Sequence, residues 1–425
     1  MTKTKNRMIF NKKLELPSVI ITAMLLLTAL TGLFNQTILS LGIVICMVVL
    51  LFCDKLYLFF PFVLFYNSFY GLIFGVSLFR IYTLIILAMA VLKITKGTKI
   101  KTKYFCPLLV YIIYLVVVMI PVQNVLFAVY ITLDIITVIA VVSELVAGEE
   151  KVIKSFFKIY AVVCLLSFLS GTVLGNSIGD EYNYSRFMAT FEDPNYMGFF
   201  FTVAIFALVT LKLFDKRIRL AMVVALYAMI LTTLSVTAII VNIALWMIYL
   251  VAMKKIKWWS AFVIVLVIML AISLFNYGLN NPDTPVLGDL SARLDEKLSS
   301  FESGDMGEVT TGRSDLASEH FEYYMELPLF NMLFGGIPVN TRYVYHDFKY
   351  VAHNEYIDML LNVGLIGAVI MFGYFISNVV SYAKKYKEGK EDKYLFLIMA
   401  KTVWMCYAMT LTVFLDFRFM FLFLL

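Results

Sequence analysis

The sequence predicts an all-α fold, a polytopic transmembrane helix bundle of about 12–14 spans with one large extracytoplasmic loop that contains short helices. The first observation is composition: 62% of the 425 residues are hydrophobic and only 15% are charged, whereas soluble domains are about 45–50% apolar and about 25% charged. The surface of a soluble protein must stay polar, so the excess apolar residues must face lipid. The second observation is a series of apolar runs separated by short basic segments, which is typical of multi-pass membrane proteins.

A spanning helix needs about 20 predominantly apolar residues. Thirteen runs meet this condition, and the predicted spans are 17–34, 36–53, 56–73, 78–95, 104–122, 125–147, 155–174, 195–213, 218–235, 237–253, 258–275, 356–380 and 394–415. The segment 218–253 is too long for one helix, and we place the turn that divides it at Ser235–Thr237.

Orientation follows from the basic loops, because Lys and Arg accumulate on the cytoplasmic side of short loops. With the N-terminus inside and its first apolar run kept as a helix, the inner side carries the basic runs 93–103, 151–158, 212–219, 254–257 and 384–393. Binding of anionic lipid is the alternative role for these runs. The spans and loops divide the chain into a transmembrane bundle at 1–275, which includes a short outer loop at 175–194, a large extracytoplasmic loop at 276–355, and C-terminal transmembrane helices at 356–425.

The large loop is acidic, with 13 Asp and Glu against 5 Lys and Arg, and it contains all three histidines of the chain. Two sets of residues in it follow helical spacing and predict two helices near the membrane surface. These sets are Leu290, Leu294, Leu298 and Phe301, and Leu316, His320, Tyr324 and Leu327. His320 and His346 have no metal-site spacing, so we expect no metal ligands and no cofactor.

Arg313 directly precedes a predicted helix that begins near Ser314. A guanidinium beside the backbone N–H groups of a helix start suits a diphosphate or another anion. The alternative is a surface arginine that pairs with Asp315 or Glu319, and the spacing by itself favours that alternative.

Two further polar groups lie at the outer ends of predicted spans. Arg186 precedes a helix that Asp193 can cap and Pro194 can begin, and an ion pair of Arg186 with a neighbouring carboxylate is as consistent with the spacing as a substrate contact. His353 precedes the span 356–380, where it can serve as a general base or, with Asn354, as a helix cap.

Charged residues inside spans are costly and therefore informative. Asp134, Lys158 and Lys401 lie within predicted spans, and Arg80 lies near the outer end of another. A proton relay through Asp134 would indicate a transporter, whereas an ion pair inside the bundle is the structural alternative and the one we expect.

Three short patches, taken in order, resemble the O-antigen polymerase/ligase superfamily, which includes Wzy-type polysaccharide polymerases and WaaL-type O-antigen ligases. The first is RFMATFEDPN from Arg186. The second is TGRS at 311–314, followed by PLFNMLFGG at 328–336. The third is HNEYIDMLLNVGLIG from His353. The order of the patches and the outer position of both loops agree with the family over most of the chain.

The resemblance implies a GT-C-like glycosyltransferase in the bacterial plasma (inner) membrane. It would need no metal and would polymerise undecaprenyl-diphosphate-linked oligosaccharides at the outer leaflet into a capsular, O-antigen or exopolysaccharide chain. By position, Arg186 and Arg313 would hold the donor diphosphate and His353 would orient or deprotonate the acceptor hydroxyl. We assign further substrate contacts to Arg80, Asn195, Asn354 and Arg342.

Other functions remain open at this point. A ligase would transfer a finished glycan to a different acceptor through the same chemistry, and a flippase or transporter of lipid-linked sugars would use charges deep in the spans instead. A scaffolding membrane protein is the third alternative. The lipid bilayer and lipid-linked oligosaccharides are the expected partners, a flippase and a chain-length regulator are candidate protein partners, and nucleic acid is not expected.

Overall fold

The structure, a computed structural model, describes residues 55–67, 72–73, 76–95, 125–179, 185–252, 272–304 without 285, 312–335, 352–411 and 416–425, together with isolated positions elsewhere. The predicted spans 17–34, 36–53, 104–122 and 258–275 lie wholly or largely outside these residues, as do Arg342 and His346.

The described part of the chain is predominantly helical. A 3₁₀ turn at Leu56–Phe59 leads into the helices, which are α1 (Phe60–Tyr66), α2 (Leu78–Thr95), α3 (Val125–Ala147), α4 (Glu150–Leu174), α5 (Pro194–Thr210), α6 (Lys216–Leu231), α7 (Val236–Ala252), α8 (Leu287–Ser303), α9 (Arg313–Glu326), α10 (Leu329–Phe334), α11 (Glu355–Gly389), α12 (Asp392–Ala408) and α13 (Phe417–Leu424). Three of these helices contain segments long and apolar enough to cross a membrane, at Val129–Val146, Glu150–Val173 and Glu355–Gly389. Shorter apolar helical segments lie at Leu56–Tyr66, Leu78–Met89, Pro194–Thr210 and Val236–Val251.

The apolar runs predict the helix positions closely. The bounds of α2 and α3 are those predicted, and α6 and α7 divide the segment 218–253 as expected, with the turn at 232–235 rather than at 235–237. Both predicted loop helices are present, as α8 and α9. The total of thirteen spans and their sidedness stay predictions.

Two β-hairpins correct the all-α prediction. Strand β1 (Leu72–Ile73) pairs antiparallel with β2 (Val76–Ser77), so the predicted span 56–73 is wrong beyond Tyr66. The reason lies at Asn67, whose side-chain oxygen accepts a hydrogen bond from the Phe79 amide at 2.9 Å and ties the end of α1 to the start of α2. A side chain that bonds locally to the backbone competes with continuation of the helix.

The second hairpin lies in the short loop 175–194, between β3 (Ser177–Gly179) and β4 (Ser185–Phe187). Its register places Ile178 opposite Arg186. Strands of two or three residues are too short to show the period-2 alternation by which strands are recognised in a sequence, so the apolar pattern did not predict either hairpin.

Helix α5 lies at the centre of the bundle. It packs against α4, α6, α7 and α12, and nearly all of its side chains are buried. A helix that is apolar on every side lies in a protein core or in lipid, and here neighbouring helices cover nearly all of its surface. Helix α5 begins at Pro194 and is held on all sides by its neighbours. The segment that leads into it, from Arg186 to Asp193, is therefore attached to a rigid helix.

Helix α11 bends near its start. Gly364 has φ 68° and ψ 178°, a non-helical conformation within a helix that otherwise runs from Glu355 to Gly389. A Cβ atom at Gly364 would lie 2.3 Å from the Gly335 nitrogen and 2.4 Å from the Leu333 carbonyl carbon. Gly364 thus interrupts the helix at the point where the end of α10 approaches the backbone of α11.

Candidate functional site

One cavity of about 530 Å³ gathers several of the sequence-predicted residues. Its lining comes from segments far apart in the chain: strand β4, the starts of α5, α7 and α9, helix α8, the residue before α11 and the end of α12. The polar residues of the lining are Arg186, Asn195, Ser235, Thr237, Arg293, Lys297, Thr310, Arg313, Ser314, Asn354 and Thr410. The described lining contains four basic side chains and no carboxylate.

Arg186 reaches this cavity from strand β4. Its Nε donates to the Thr233 carbonyl oxygen at 3.0 Å, and its Nη2 donates to Asn195 Oδ1 at 3.4 Å. Asn195 Oδ1 also accepts a hydrogen bond from Ser235 Oγ at 2.8 Å. The guanidinium therefore connects the β3–β4 hairpin to the turn that joins α6 to α7. Its Nε and Nη2 groups donate hydrogen bonds to other residues of the protein.

The start of α5 has the predicted cap. Asp193 is extended, with φ −141° and ψ 133°, and its side chain accepts a hydrogen bond from the Asn195 amide at 2.6 Å. Pro194 occupies the first helical turn, as its fixed φ and missing N–H allow. The cap places the Asn195 side chain in the cavity wall and keeps the Asp193 charge near the site.

The turn between β4 and α5 is anchored to the bundle by buried polar contacts. Ala189 has φ 53°, a conformation uncommon for residues other than glycine. Asn176 Nδ2 donates to the Ala189 carbonyl at 2.6 Å, and Thr190 Oγ1 donates to the Phe65 carbonyl at 2.6 Å. These bonds hold the turn in one conformation, so that Arg186 keeps its position relative to α5.

Arg313 is the first residue of α9 and follows Gly312, whose φ is 72°. Between described residues it forms no ion pair with Asp315 or Glu319, which were the alternative partners. Burial lowers the pKa of Arg313, the Asp193 charge raises it, and the charge of Arg293 lowers it again. Arginine keeps its proton under such shifts, so the cavity contains a cation that is held partly away from water.

The helix start at Arg313 offers fewer free backbone donors than the sequence suggested. The Ser314 N–H donates to Thr310 Oγ1 at 3.1 Å, and the Gly312 N–H donates to the Gly307 carbonyl at 2.7 Å. The guanidinium is therefore the main anion-binding group at this helix end.

His353 directly precedes the cap of α11. Asn354 Oδ1 accepts hydrogen bonds from the Tyr356 and Ile357 amides at 3.1 and 3.4 Å, so Asn354 is the capping residue of the two that were considered. His353 has φ 48°. Such positive-φ conformations in residues other than glycine cluster at functional sites, where surrounding packing maintains them.

His353 lies close enough to Arg313, a residue of the cavity lining, for the two side chains to interact electrostatically. Burial lowers its pKa from the ordinary value, the nearby Arg313 charge lowers it further, and Asp193 and Asp358 oppose the shift. His353 is not part of the cavity lining itself, but its neighbour Asn354 is. A lowered pKa keeps the imidazole neutral near pH 7, which is the protonation state a general base needs.

Arg293 and Lys297 are cavity residues that we did not select from the sequence. Both lie on α8, and they are 7% and 9% exposed. Their separation of four residues places them on one face of the helix. The helical spacing of the apolar residues predicted α8. The presence of an Arg and a Lys on adjacent turns of that predicted helix was the signal by which Arg293 and Lys297 could have been selected.

Arg80 lies elsewhere. Its Nη1 contacts Asp134 Oδ1 in an ion pair and donates to the Tyr130 carbonyl at 3.3 Å, and its guanidinium lies 4.4 Å from the centre of the Tyr130 ring. Arg80 is not among the residues that line the cavity. The expected ion pair of Asp134 inside the bundle is confirmed.

The two other charges inside predicted spans also have partners. Lys401 is buried, donates to the Phe423 carbonyl and lies 4.8 Å from the centre of the Phe375 ring. Lys158 lies 5.8 Å from the centre of the Phe214 ring. Arg342 is outside the described residues, so its predicted substrate contact stays a prediction.

Comparison with known proteins adds no relative to these observations. No protein-family model matches the chain, and no curated protein matches it.

Proposed function

We propose that this protein is a membrane glycosyltransferase of the polysaccharide-polymerase type, acting on polyprenyl-diphosphate-linked oligosaccharides. The observation that supports it most directly is the shared cavity of Arg186 and Arg313, with His353 next to its wall. These residues come from three separate patches of the sequence, since Arg186 lies 127 positions before Arg313 and His353 lies 40 positions after it.

The basic lining suits a diphosphate. Arginine presents several N–H donors in a planar fork that matches phosphate oxygens, and partial burial strengthens its interaction with an anion. Asn195 and the Thr233 carbonyl restrict the Arg186 guanidinium before any ligand arrives. Donors fixed in advance need little reorganisation when charge develops, which is the condition for electrostatic stabilisation of a transition state.

The chemistry then follows in one displacement. The bond between the anomeric carbon and the diphosphate oxygen breaks, and a new bond forms between that carbon and an acceptor hydroxyl oxygen. The polyprenyl diphosphate leaves with one additional negative charge, which Arg186 and Arg313 stabilise. The hydroxyl proton passes to the imidazole of His353, which is neutral near pH 7 because burial and Arg313 lower its pKa.

The test is the length of surface polysaccharide in cells that carry His353→Gln or Arg313→Gln, with the amount of protein in the membrane measured in parallel. Arg217→Gln is the matched control, because Arg217 is exposed at the start of α6 and does not line the cavity. A polymerase predicts that long chains disappear from both site variants and that single lipid-linked repeat units accumulate.

Two other results would change the proposal. Finished long chains that remain attached to the carrier lipid would identify a ligase, which shares the same transfer chemistry but uses another acceptor. Unchanged chains at normal protein levels would contradict a transferase site at these residues.

A further inference from the structure

We infer that three buried polar residues outside the cavity, Thr202, Asn242 and Tyr407, position Arg186 for transfer by fixing helix α5 in one register against helix α7. The inference rests on the proposed function, since it takes Arg186 as a group that stabilises the leaving diphosphate. The three residues do not line the cavity, so they are positioning residues for the reaction and not catalytic ones.

Helices α5 and α7 lie side by side and run in the same direction. The facing pairs are Asn195 with Ser235, Gly198 with Ala238, Thr202 with Asn242 and Phe206 with Trp246. In every pair the second residue lies 40 positions after the first, which is the pattern of two parallel helices in a single register. Steps of three and four residues along α5 keep all these contacts on one face of the helix.

The polar layer lies in the middle of this contact. Asn242 Nδ2 donates to Thr202 Oγ1 at 2.8 Å, and the hydroxyl of Tyr407, on α12, lies 3.4 Å from the same oxygen. The three residues are at most 4% exposed. Burying a polar group is costly unless it finds a hydrogen-bond partner, so a register that separated Thr202 from Asn242 would be disfavoured. A single buried polar residue specifies the register of coiled coils in this way.

The same three helices form part of the cavity wall. Asn195 and Ser235 line the cavity at the start of α5 and just before α7, seven residues or about 10 Å along the helix axis from the polar layer. On α12, Thr410 lines the cavity and donates through its Oγ1 to the carbonyl oxygen of Tyr407 at 3.2 Å. The polar layer therefore connects three segments that meet at the cavity.

Arg186 depends on the position of α5 relative to α7 because it is bonded to both sides of that contact. Its Nη2 donates to Asn195 on α5, and its Nε donates to the Thr233 carbonyl in the turn before α7. A shift of α5 by one turn would move Asn195 by about 5 Å relative to Thr233, so the guanidinium could not keep both bonds. Transition-state stabilisation requires donors at fixed positions, and a small misplacement costs rate even when its cause lies far from the chemistry.

The experiment measures kcat and KM for transfer of a lipid-linked glycan by the full-length protein in lipid nanodiscs, together with the thermal unfolding temperature. The main variant combines Thr202→Val, Asn242→Leu and Tyr407→Phe, which makes the whole polar layer apolar. Thr202→Ser keeps the hydroxyl. Thr210→Val is the matched control, because Thr210 is 1% exposed on the same helix but its hydroxyl donates to the Phe206 carbonyl of that helix.

We expect the triple variant to unfold at a temperature close to that of the unchanged protein, because apolar side chains replace all three partners together. Its kcat should fall about tenfold or more while its KM stays within about twofold, because the donor still binds but Arg186 no longer lies where charge develops. Thr202→Ser and Thr210→Val should keep the kcat of the unchanged protein. An unchanged kcat in the triple variant, or an equal loss in Thr210→Val, would overturn the inference.

Thr202→Val by itself is the second test, which applies if the triple variant does not fold. It removes one hydroxyl and keeps the branched shape of the side chain, so it should lose kcat that Thr202→Ser retains. Equal kcat values for these two variants, measured per folded molecule, would overturn the inference.

The proposed function fails in a different way. If the unchanged protein transfers no glycan, the transferase function is wrong and the positioning role is wrong with it. If the unchanged protein transfers glycan and the triple variant is equally active, only the positioning role is wrong.

Discussion

Arg313 lies close enough to His353 for its positive charge to lower the pKa of the imidazole, in addition to the lowering that burial causes. The two residues are forty positions apart in the sequence, on the first turn of α9 and just before α11. A residue proposed to bind the leaving anion thus also adjusts the protonation of the residue proposed to accept the proton.

This coupling predicts the pH dependence of transfer. Transfer requires neutral His353, so the rate should rise with pH through the pKa of His353 and level off above it. Because that pKa is lowered from the ordinary 6.5, the acidic limb should have its midpoint below pH 6.5. In Arg313→Gln the midpoint should move to higher pH, because a cation that disfavours the imidazolium is gone.

The measurement is the initial rate of lipid-linked glycan transfer by the purified protein between pH 5 and pH 8, with Arg217→Gln as the control. A midpoint that stays where it was in Arg313→Gln would show that the two groups do not interact in the functional state.

Asn195 is predicted to position Arg186 rather than to react. Asn195→Ala removes the acceptor that Arg186 Nη2 and Ser235 Oγ share. The expected result is a rate about tenfold lower, since a misplaced donor stabilises the transition state poorly, together with a loss of stability of about 1–3 kcal/mol from the unsatisfied Ser235 hydroxyl.

The double variant Asn195→Ala with Ser235→Ala separates these effects. It should recover part of the stability, because no buried hydroxyl is left without its acceptor, but none of the rate. Recovery of the rate as well would mean that Asn195 acts only through folding.

Gly364 is predicted to be irreplaceable for backbone reasons. Gly364→Ala forces a side chain into a positive-φ conformation and against the end of α10, with the nitrogen of the following Gly335 at 2.3 Å and the Leu333 carbonyl at 2.4 Å. Loss of stability by more than about 1 kcal/mol is expected, visible as a lower thermal unfolding temperature in detergent.

Gly373 on the same helix is the matched control. A Cβ atom there would meet nothing within 4 Å, so Gly373→Ala should be neutral or stabilising by up to about 1 kcal/mol. Equal losses for the two variants would contradict the close approach of α10 and α11.

Arg418 is predicted to hold the segment before α5 in place. It is 5% exposed, contacts the carboxylates of Asp416 and Glu192, and lies 5.2 Å from the centre of the Tyr196 ring. The side chains of Asp416 and Glu192 are 19% and 56% exposed, so water can solvate part of their charge when the guanidinium is lost. Arg418→Ala should therefore destabilise the protein by about 1–3 kcal/mol, less than the roughly 3–5 kcal/mol for a fully buried pair. Arg418→Lys should restore only part of this, because an ammonium cannot contact both carboxylates in the same planar way. Thermal unfolding of both variants tests this, and equal stability of the two would exclude the proposed geometry.

The Arg80–Asp134 pair distinguishes the transferase from the transporter. If the pair is structural, the effects of Arg80→Gln and Asp134→Asn on stability should be non-additive by about 0.5–3 kcal/mol in a double-mutant cycle, and the double variant should retain transfer. Loss of function in Asp134→Asn at normal stability would instead favour a proton relay and the transporter alternative.

Most of the helices could be predicted from the sequence because their signals are local. Apolar runs determine α2 and α3, Asp193 and Pro194 mark the start of α5, and leucine spacing indicates α8. The hairpins escaped prediction because strands of two or three residues have no measurable periodicity. The conformation of Gly364 escaped it because a glycine in an apolar run is compatible with a continuous helix until another backbone approaches it.

The sequence by itself determined that the protein is apolar enough for a membrane. It also determined the positions of most of the described helices along the chain, and it showed which arginines and which histidine lie at the ends of helices or strands. Only the tertiary structure decided which of them share a cavity. Arg186 and Arg313 meet there with Arg293 and Lys297, whereas Arg80 pairs with Asp134. Local patterns depend on neighbours in the chain, but a cavity depends on how distant elements pack, and that packing is set by the combined burial of α5 and the helices around it.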